Sequence, residues 1–195
     1  MILLIGLGNP GEKFVNTRHN LGFDFLDYLY KLGNFSPWQE KKRLQSLVSR
    51  GLLFDKEVIL AKPQTFMNNS GEAVVKLLRF YKVPLSCIWV VHDDIDLLLG
   101  TFRIVKNRGP AGHNGVKSII QSLNNKNFVR FRIGIKPKSF PKNYNRKVFV
   151  LEKFTKKEQK VLEKVKKDFA KATKMALQND IQKAMTEFNK KRSAA

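Results

Sequence analysis

GLGNPGEKFVNTRHN, residues Gly6–Asn20, follows directly on the apolar run Ile2–Ile5. The run reads as a buried strand, and the glycine- and proline-marked stretch after it as a tight turn leading to His19. A turn at the carboxyl end of a buried strand is where open α/β sheets place their chemistry. Gly6, Gly8 and Gly11 also satisfy the GxGxxG spacing of dinucleotide-binding turns. Two features argue against that use. Pro10 stands where the fingerprint helix opens, and no acidic strand end follows about 20 residues on. The next helix instead spans Leu21–Leu32. A polar stretch around Ser36–Arg43 follows, then a hairpin-like pair near Gln45–Arg50 and Glu57–Ala61 in place of a parallel return. A nicotinamide-dependent reductase is the competing enzyme reading, and cofactor binding would distinguish it.

Further elements extend outward from this start. Asn69 and Ser70 can cap a helix over Glu72–Tyr81, with Pro84 marking its end. Ile88–Val91 is a short β-branched strand ending at His92, Asp93 and Asp94. A second helix, Gly115–Leu123, follows Asn114. Phe128–Ile135 alternates, placing Arg130 and Arg132 on one face and Phe131, Ile133 and Ile135 on the other. Lys136–Lys147 is a Pro- and Lys-rich loop, readable as a mobile lid or as plain surface. Thr155 and Glu158 have capping-box spacing, and Leu162, Val165, Phe169, Ala172 and Ala176 trace an apolar helical stripe beyond them. A last helix begins near Asp180, with Ile181, Ala184, Met185 and Phe188 inward.

Composition bounds the partners. The 195 residues suit one domain, 1–195, with basic C-terminal helices from about residue 156. No apolar run approaches the roughly 20 residues of a membrane span, and the N-terminus lacks the basic and long apolar regions of a signal peptide. The single cysteine, Cys87, forms no internal disulfide and fits a reducing, cytoplasmic setting. A net charge of +21 calls for a polyanion, nucleic acid first, although a solvated lysine-rich surface is the plain alternative. The positive charge is concentrated late, with 18 Lys/Arg against 6 Asp/Glu in Lys136–Ala195.

Four polar clusters fall at the ends of these elements: Asn9 with Thr17–Asn20, Met67 with Asn68, His92 with Asp93, and His113 with Asn114. Taken singly, each asparagine reads as a turn or cap residue and Asp93 as a strand-end cap. All three histidines of the chain, however, sit beside Asn or Asp at element ends. A histidine paired with a carboxylate can deprotonate water near neutral pH, and asparagine amides can donate to a developing oxyanion without adding charge. There is no GxSxG elbow for a covalent acyl-enzyme. HExxH and CxxC spacings are also missing, so no metal is expected.

Together the clusters resemble the bacterial peptidyl-tRNA hydrolase family over essentially the whole chain. The family pattern GxxNPGxxYxxTRHNxG appears at Gly6–Gly22, KPxTxMNxSG at Lys62–Gly71 and VxHDxxDxxxG at Val90–Gly100. GGHNGxxS appears with one change at Ala111–Ser118, and FxRxRIGI at Phe128–Ile135. The resemblance implies a single α/β domain with a twisted mixed β-sheet flanked by helices. It also implies hydrolysis of the ester joining a peptide to the 3′ end of tRNA, with no cofactor and by a monomer. His19 would be the general base and Asp93 its orienting carboxylate. Asn9, Asn68 and Asn114 would hold peptide and water, Met67 would wall the peptide end, and His113 would join the substrate-binding set. The chain departs from the pattern at Phe14, where the family has tyrosine, and in the loop Lys106–Gly112, which is stiffer and more basic. Val105 stands where the family often has a tRNA-contacting lysine, so Lys106 or Arg108 would take over beside Arg132. A non-catalytic RNA-binding protein of this fold would keep the charge but would not need His19, Asp93 and three asparagines together.

Overall fold

A computed structural model describes residues 1–139 and 145–190. The stretch around the quoted turn folds as expected. Strand β1 (Ile2–Gly6) leads through two short 3-10 turns, Glu12–Phe14 and Arg18–Asn20, into α1 (Leu21–Leu32). Next come two short strands, β2 (Asn34–Phe35) and β3 (Gln39–Lys41), then the hairpin β4 (Ser46–Leu53) and β5 (Lys56–Pro63). Helix α2 (Ser70–Tyr81) precedes β6 (Ile88–Leu98), β7 (Phe102–Lys106), α3 (Asn114–Leu123) and β8 (Val129–Lys136). The chain closes with a one-turn helix α4 (Arg146–Phe149), the long α5 (Lys156–Gln178) and α6 (Ile181–Lys190).

One mixed sheet runs β2-β4-β5-β1-β6-β8-β7, with β3 paired to β4. β1 is parallel to both β5 and β6, and β6 to β8, while β4–β5 and β7–β8 are antiparallel. The chain leaves β1 toward one side of the sheet and returns as β6 on the other. The crevice at the carboxyl ends of β1 and β6 is therefore the switch point where such sheets bind ligands. Helices α1, α5 and α6 cover one face, where Phe25, Phe131 and Phe169 meet. Helices α2 and α3 cover the other over Leu3, Ile5, Ile59 and Val90. The aromatic packing is edge-on, with Phe169 5.1 Å from both Phe25 and Phe131.

Several boundaries differ from the sequence reading. β6 does not stop at Val91 but continues through His92, Asp93 and Asp94, because their backbones pair with Arg132, Ile133 and Gly134 of β8. The cap of α3 is His113, whose ring accepts the Val116 N–H at 3.3 Å, and Asn114 is the first helical residue. Asn69 stands at the cap position of α2 without a side-chain bond, and Ser70 donates instead to the Met67 carbonyl at 2.9 Å. Thr155 and Glu158 do form the capping box. The Lys136–Lys147 loop lies partly outside the described residues, at 140–144, and its end is already α4.

Gly6 and Gly22 explain how tightly the quoted turn is drawn in. A Cβ on either would strike backbone atoms of the other segment, Gly22 at the first and Leu7 and Val91 at the second. The start of α1 is thereby pressed against the end of β1, carrying the Arg18–Asn20 turn over the switch point.

Candidate active site

His19 is supplied by the 3-10 turn before α1 and Asp93 by the middle of β6. Their meeting is direct: His19 Nδ1 lies 2.9 and 3.1 Å from the two oxygens of Asp93. An ionised carboxylate only accepts, so the neutral ring carries its proton on Nδ1 and leaves Nε2 with a lone pair. Burial acts to lower the His19 pKa, but the charge of Asp93 and its hydrogen bond together outweigh it, and the net shift is upward from 6.5. For Asp93, 2% exposed, burial acts to raise the pKa and is overcome by His19 and His113, holding it far below the usual carboxylate range.

His19 sits between two openings. On one side is a cleft of about 170 Å³ lined by Asp93, Gly112, His113, Asn114, Arg146 and Lys147. On the other, a groove of about 320 Å³ is lined by Asn9, Phe14, Phe66, Met67, Asn68, Asn114, Lys147 and Leu151. The groove thus collects sequence-predicted residues from three separate segments. Asn9 is buried, and its Oδ1 accepts the Met67 N–H at 2.8 Å, leaving the Nδ2 donor for the groove. Asn68 and Asn114 are exposed at the groove wall. Met67 is buried against α3, where a Cβ on Gly115 would strike its sulfur. The Phe14 ring packs edge-on to Phe66 at 6.4 Å, making that flank aromatic.

His113 lines the cleft but not the groove that holds Asn9, Asn68 and Asn114. It is buried, and its Nε2 lies 3.0 Å from Asp93 Oδ1, the same oxygen that His19 Nδ1 meets, with the two rings 4.9 Å apart. Among the described residues, His19, Asp93 and His113 bring their ring nitrogens and carboxylate within 4.8 Å of one another, and the two nitrogens facing Asp93 are its hydrogen-bond donors. Wide spacing in sequence had concealed this convergence.

The basic residues divide. Arg132, half-buried, is ion-paired through Nε with Asp94. Arg130, expected on the same solvent face, is 1% exposed under the 107–113 loop, donating through Nη2 to the Gly109 carbonyl at 3.0 Å. Lys106 ends β7 on the face opposite Arg132 by strand alternation, and Arg108 is exposed in the loop beyond. The residue directly across from Arg132 is Arg103, exposed and on the same face.

Three supporting residues have no role assigned from sequence, although Arg18 and Asn20 lie in the first polar cluster. Asn20 grips the Asn9 backbone from both sides, accepting its N–H at 2.8 Å and donating to its carbonyl at 2.9 Å. Arg18 makes two bonds to Glu158, at 3.0 and 3.2 Å, and lies 4.3 and 4.8 Å from the Phe149 and Phe154 ring centroids. Lys147 faces both openings. For Asn20 and Arg18 the TRHN motif itself was the available signal.

Comparisons with known proteins point to one family. The family model described as peptidyl-tRNA hydrolase matches residues 3–195. A peptidyl-tRNA hydrolase of Clostridium perfringens is 41% identical over 190 residues, covering 97% of each chain. One from Carboxydothermus hydrogenoformans is 42% identical, covering 97% of this chain and 99% of its own. The crystal structure of peptidyl-tRNA hydrolase from Acinetobacter baumannii superposes with a TM-score of 0.89 at 32% identity, over 97% of this chain and 94% of that one. A fold built around one switch-point crevice, a His–Asp pair at its centre and a match along nearly every residue lead to one conclusion: the chain belongs to the peptidyl-tRNA hydrolase family.

Proposed function

We propose that the chain hydrolyses the ester between a peptide, or an N-blocked aminoacyl group, and the 3′-terminal ribose of tRNA, with His19 as general base. The observation that carries this reading is the His19 Nδ1–Asp93 pair at 2.9 Å, set beside a groove with three asparagine amides. Water held near His19 gives its proton to Nε2 as its oxygen attacks the ester carbonyl. The negative charge arriving on the carbonyl oxygen is met by an amide N–H of Asn68 or Asn114. Collapse breaks the bond to the ribose oxygen, which recovers the proton from His19, releasing free tRNA and the peptide acid, which then ionises to carboxylate by losing its proton to solvent. Asn9 Nδ2 and Met67 position the end of the peptide, and the aromatic flank of Phe14 and Phe66 contacts it without the hydroxyl that tyrosine would bring.

Recycling of tRNA in the cytoplasm, as a monomer, is the setting that fits this activity. No helix among the described residues is long and apolar enough to cross a membrane. The test is ester release from N-acetyl-aminoacyl-tRNA. His19→Ala is expected to lower kcat by about 10²–10⁴ with tRNA affinity retained, the usual loss when a general base is removed. Near wild-type turnover in that variant would refute the assignment.

A further inference from the structure

Among the described residues, Asp93 Oδ1 receives two imidazoles, His19 Nδ1 at 2.9 Å and His113 Nε2 at 3.0 Å, while Oδ2 receives only His19, at 3.1 Å. The other nitrogen of His113 decides what this contact is. His113 Nδ1 accepts the Val116 N–H as the cap of α3. A ring nitrogen that accepts from a main-chain N–H carries no proton, so the proton of neutral His113 is on Nε2 and points at Asp93. The start of a helix thus imposes the tautomer. Behind His113 stands His92, fully buried, its ring edge-on at 4.6 Å and its Nδ1 donating to the Asp93 carbonyl at 2.6 Å. The three rings form a row across the site, with the His19 ring tilted at 47° and 4.9 Å from His113 on the other side.

We infer that His113 is a positioning residue for the hydrolysis, not a substrate contact: by donating to Asp93 Oδ1 it fixes the carboxylate and takes up part of the charge that would otherwise act on His19 alone. The inference rests on His19 being the base. Its consequence is a tuning of that base. With His113 in place, Asp93 orients His19 firmly yet stabilises the imidazolium less than an undivided carboxylate would. More of the base is then unprotonated at neutral pH. Asp94 is paired with Arg132 of β8, and Arg146 of α4 with Asp96 at 3.6 Å. Lys147 lines the openings, and His92 is held neutral, first by burial and then by the neighbouring His113.

The variant that isolates this role is His113→Asn. Asparagine is a favoured N-cap and keeps an acceptor for the Val116 N–H, but it is too short to reach Asp93. His113→Gln is the rescue, since its longer amide restores a neutral donor to the carboxylate. Two measurements are needed: the titration of His19 by ¹⁵N NMR, and the pH profile of kcat/KM on N-acetyl-aminoacyl-tRNA. In His113→Asn both midpoints are expected to move upward by about half to one pH unit. KM should change less than about threefold, and His113→Gln should return both midpoints toward wild type. An unmoved titration with a raised KM would overturn the inference and make His113 a substrate contact. A moved NMR titration with an unmoved rate profile would instead refute His19 as the base while leaving the effect of His113 on it standing. The wild-type protein supplies an arm that needs no variant to fold. Its ¹⁵N shifts should show neutral His113 protonated at Nε2, and a ring protonated at Nδ1 would sink the idea.

Discussion

At the residue scale, His19 works under a constraint of sign. As the proposed base it would act only when neutral, yet its net shift is upward from 6.5, with Asp93 overcoming the effect of burial. The rate should therefore rise with pH through a midpoint above 6.5 and level off. Stability should run the other way. The protonated His19–Asp93 pair contributes fully below the unfolded value near 6.5, and that contribution is lost as pH rises through the folded value. Asp93→Asn removes the charge that raises His19, so the midpoint of the rate profile should fall. The plateau should drop by about 10²–10⁴, the scale of losing the oriented base. A wild-type plateau in this variant, read from the same ester-release assay, would make Asp93 a structural cap. The partners at this scale were legible because each lies in a short motif with its own polar signature. What the sequence could not reveal was direction. Asn114 and His113 are neighbours, and only the start of α3 turns one into the groove and the other behind Asp93.

At the element scale, the turn that carries His19 is held less by its own chain than by the segment 150–158. The N–H groups of Arg18 and His19 donate to the carbonyls of Glu152 and Val150, at 2.9 and 2.7 Å. The Arg18 side chain reaches on to Glu158 between two aromatic rings. Glu158 does double duty, since it also closes the capping box that starts α5. Removing it strands a buried guanidinium and uncaps a long helix. Glu158→Ala should therefore cost about 3–5 kcal/mol, the range for breaking a buried pair. Urea unfolding followed by circular dichroism measures this, and a loss under about 1 kcal/mol would show the pair to be only a surface contact. The capping box and the apolar stripe of α5 were readable because they are local. Strands β2, β3, β7 and helix α4 were not. The first three exist through pairing with β4 and β8, and α4 is a single turn, so none carries a period long enough to announce itself.

At the scale of the whole molecule, a net charge of +21 faces a substrate that is itself a polyanion, and the question is where the phosphates lie. The fold suggests a specific answer. Arg103 and Arg132 face each other across β7 and β8, with Val105 beside them, whereas Lys106 projects to the other face. Arg132 is partly committed to Asp94, and Arg103 is exposed, so a phosphate at this edge would be met by Arg103 and share Arg132. This pairing was hidden in the sequence because β7 was not recognised there, and without β7 there is no register to place residue 103 opposite residue 132. Arg103→Gln is the clean test, since it leaves no buried partner behind. It should raise KM with kcat nearly unchanged, the mark of binding remote from the reacting bond. It should also lower the slope of log affinity against log salt by about 0.7–0.9, one phosphate contact. Lys106→Gln should leave that slope unchanged. The competing surface is α5, whose exposed Lys157, Lys160, Lys164, Lys167, Lys171 and Lys174 recur every three or four residues along one side. If neutralising three of those lysines reduces the salt slope while Arg103→Gln does not, the tRNA runs along α5 and the β7–β8 edge carries no phosphate.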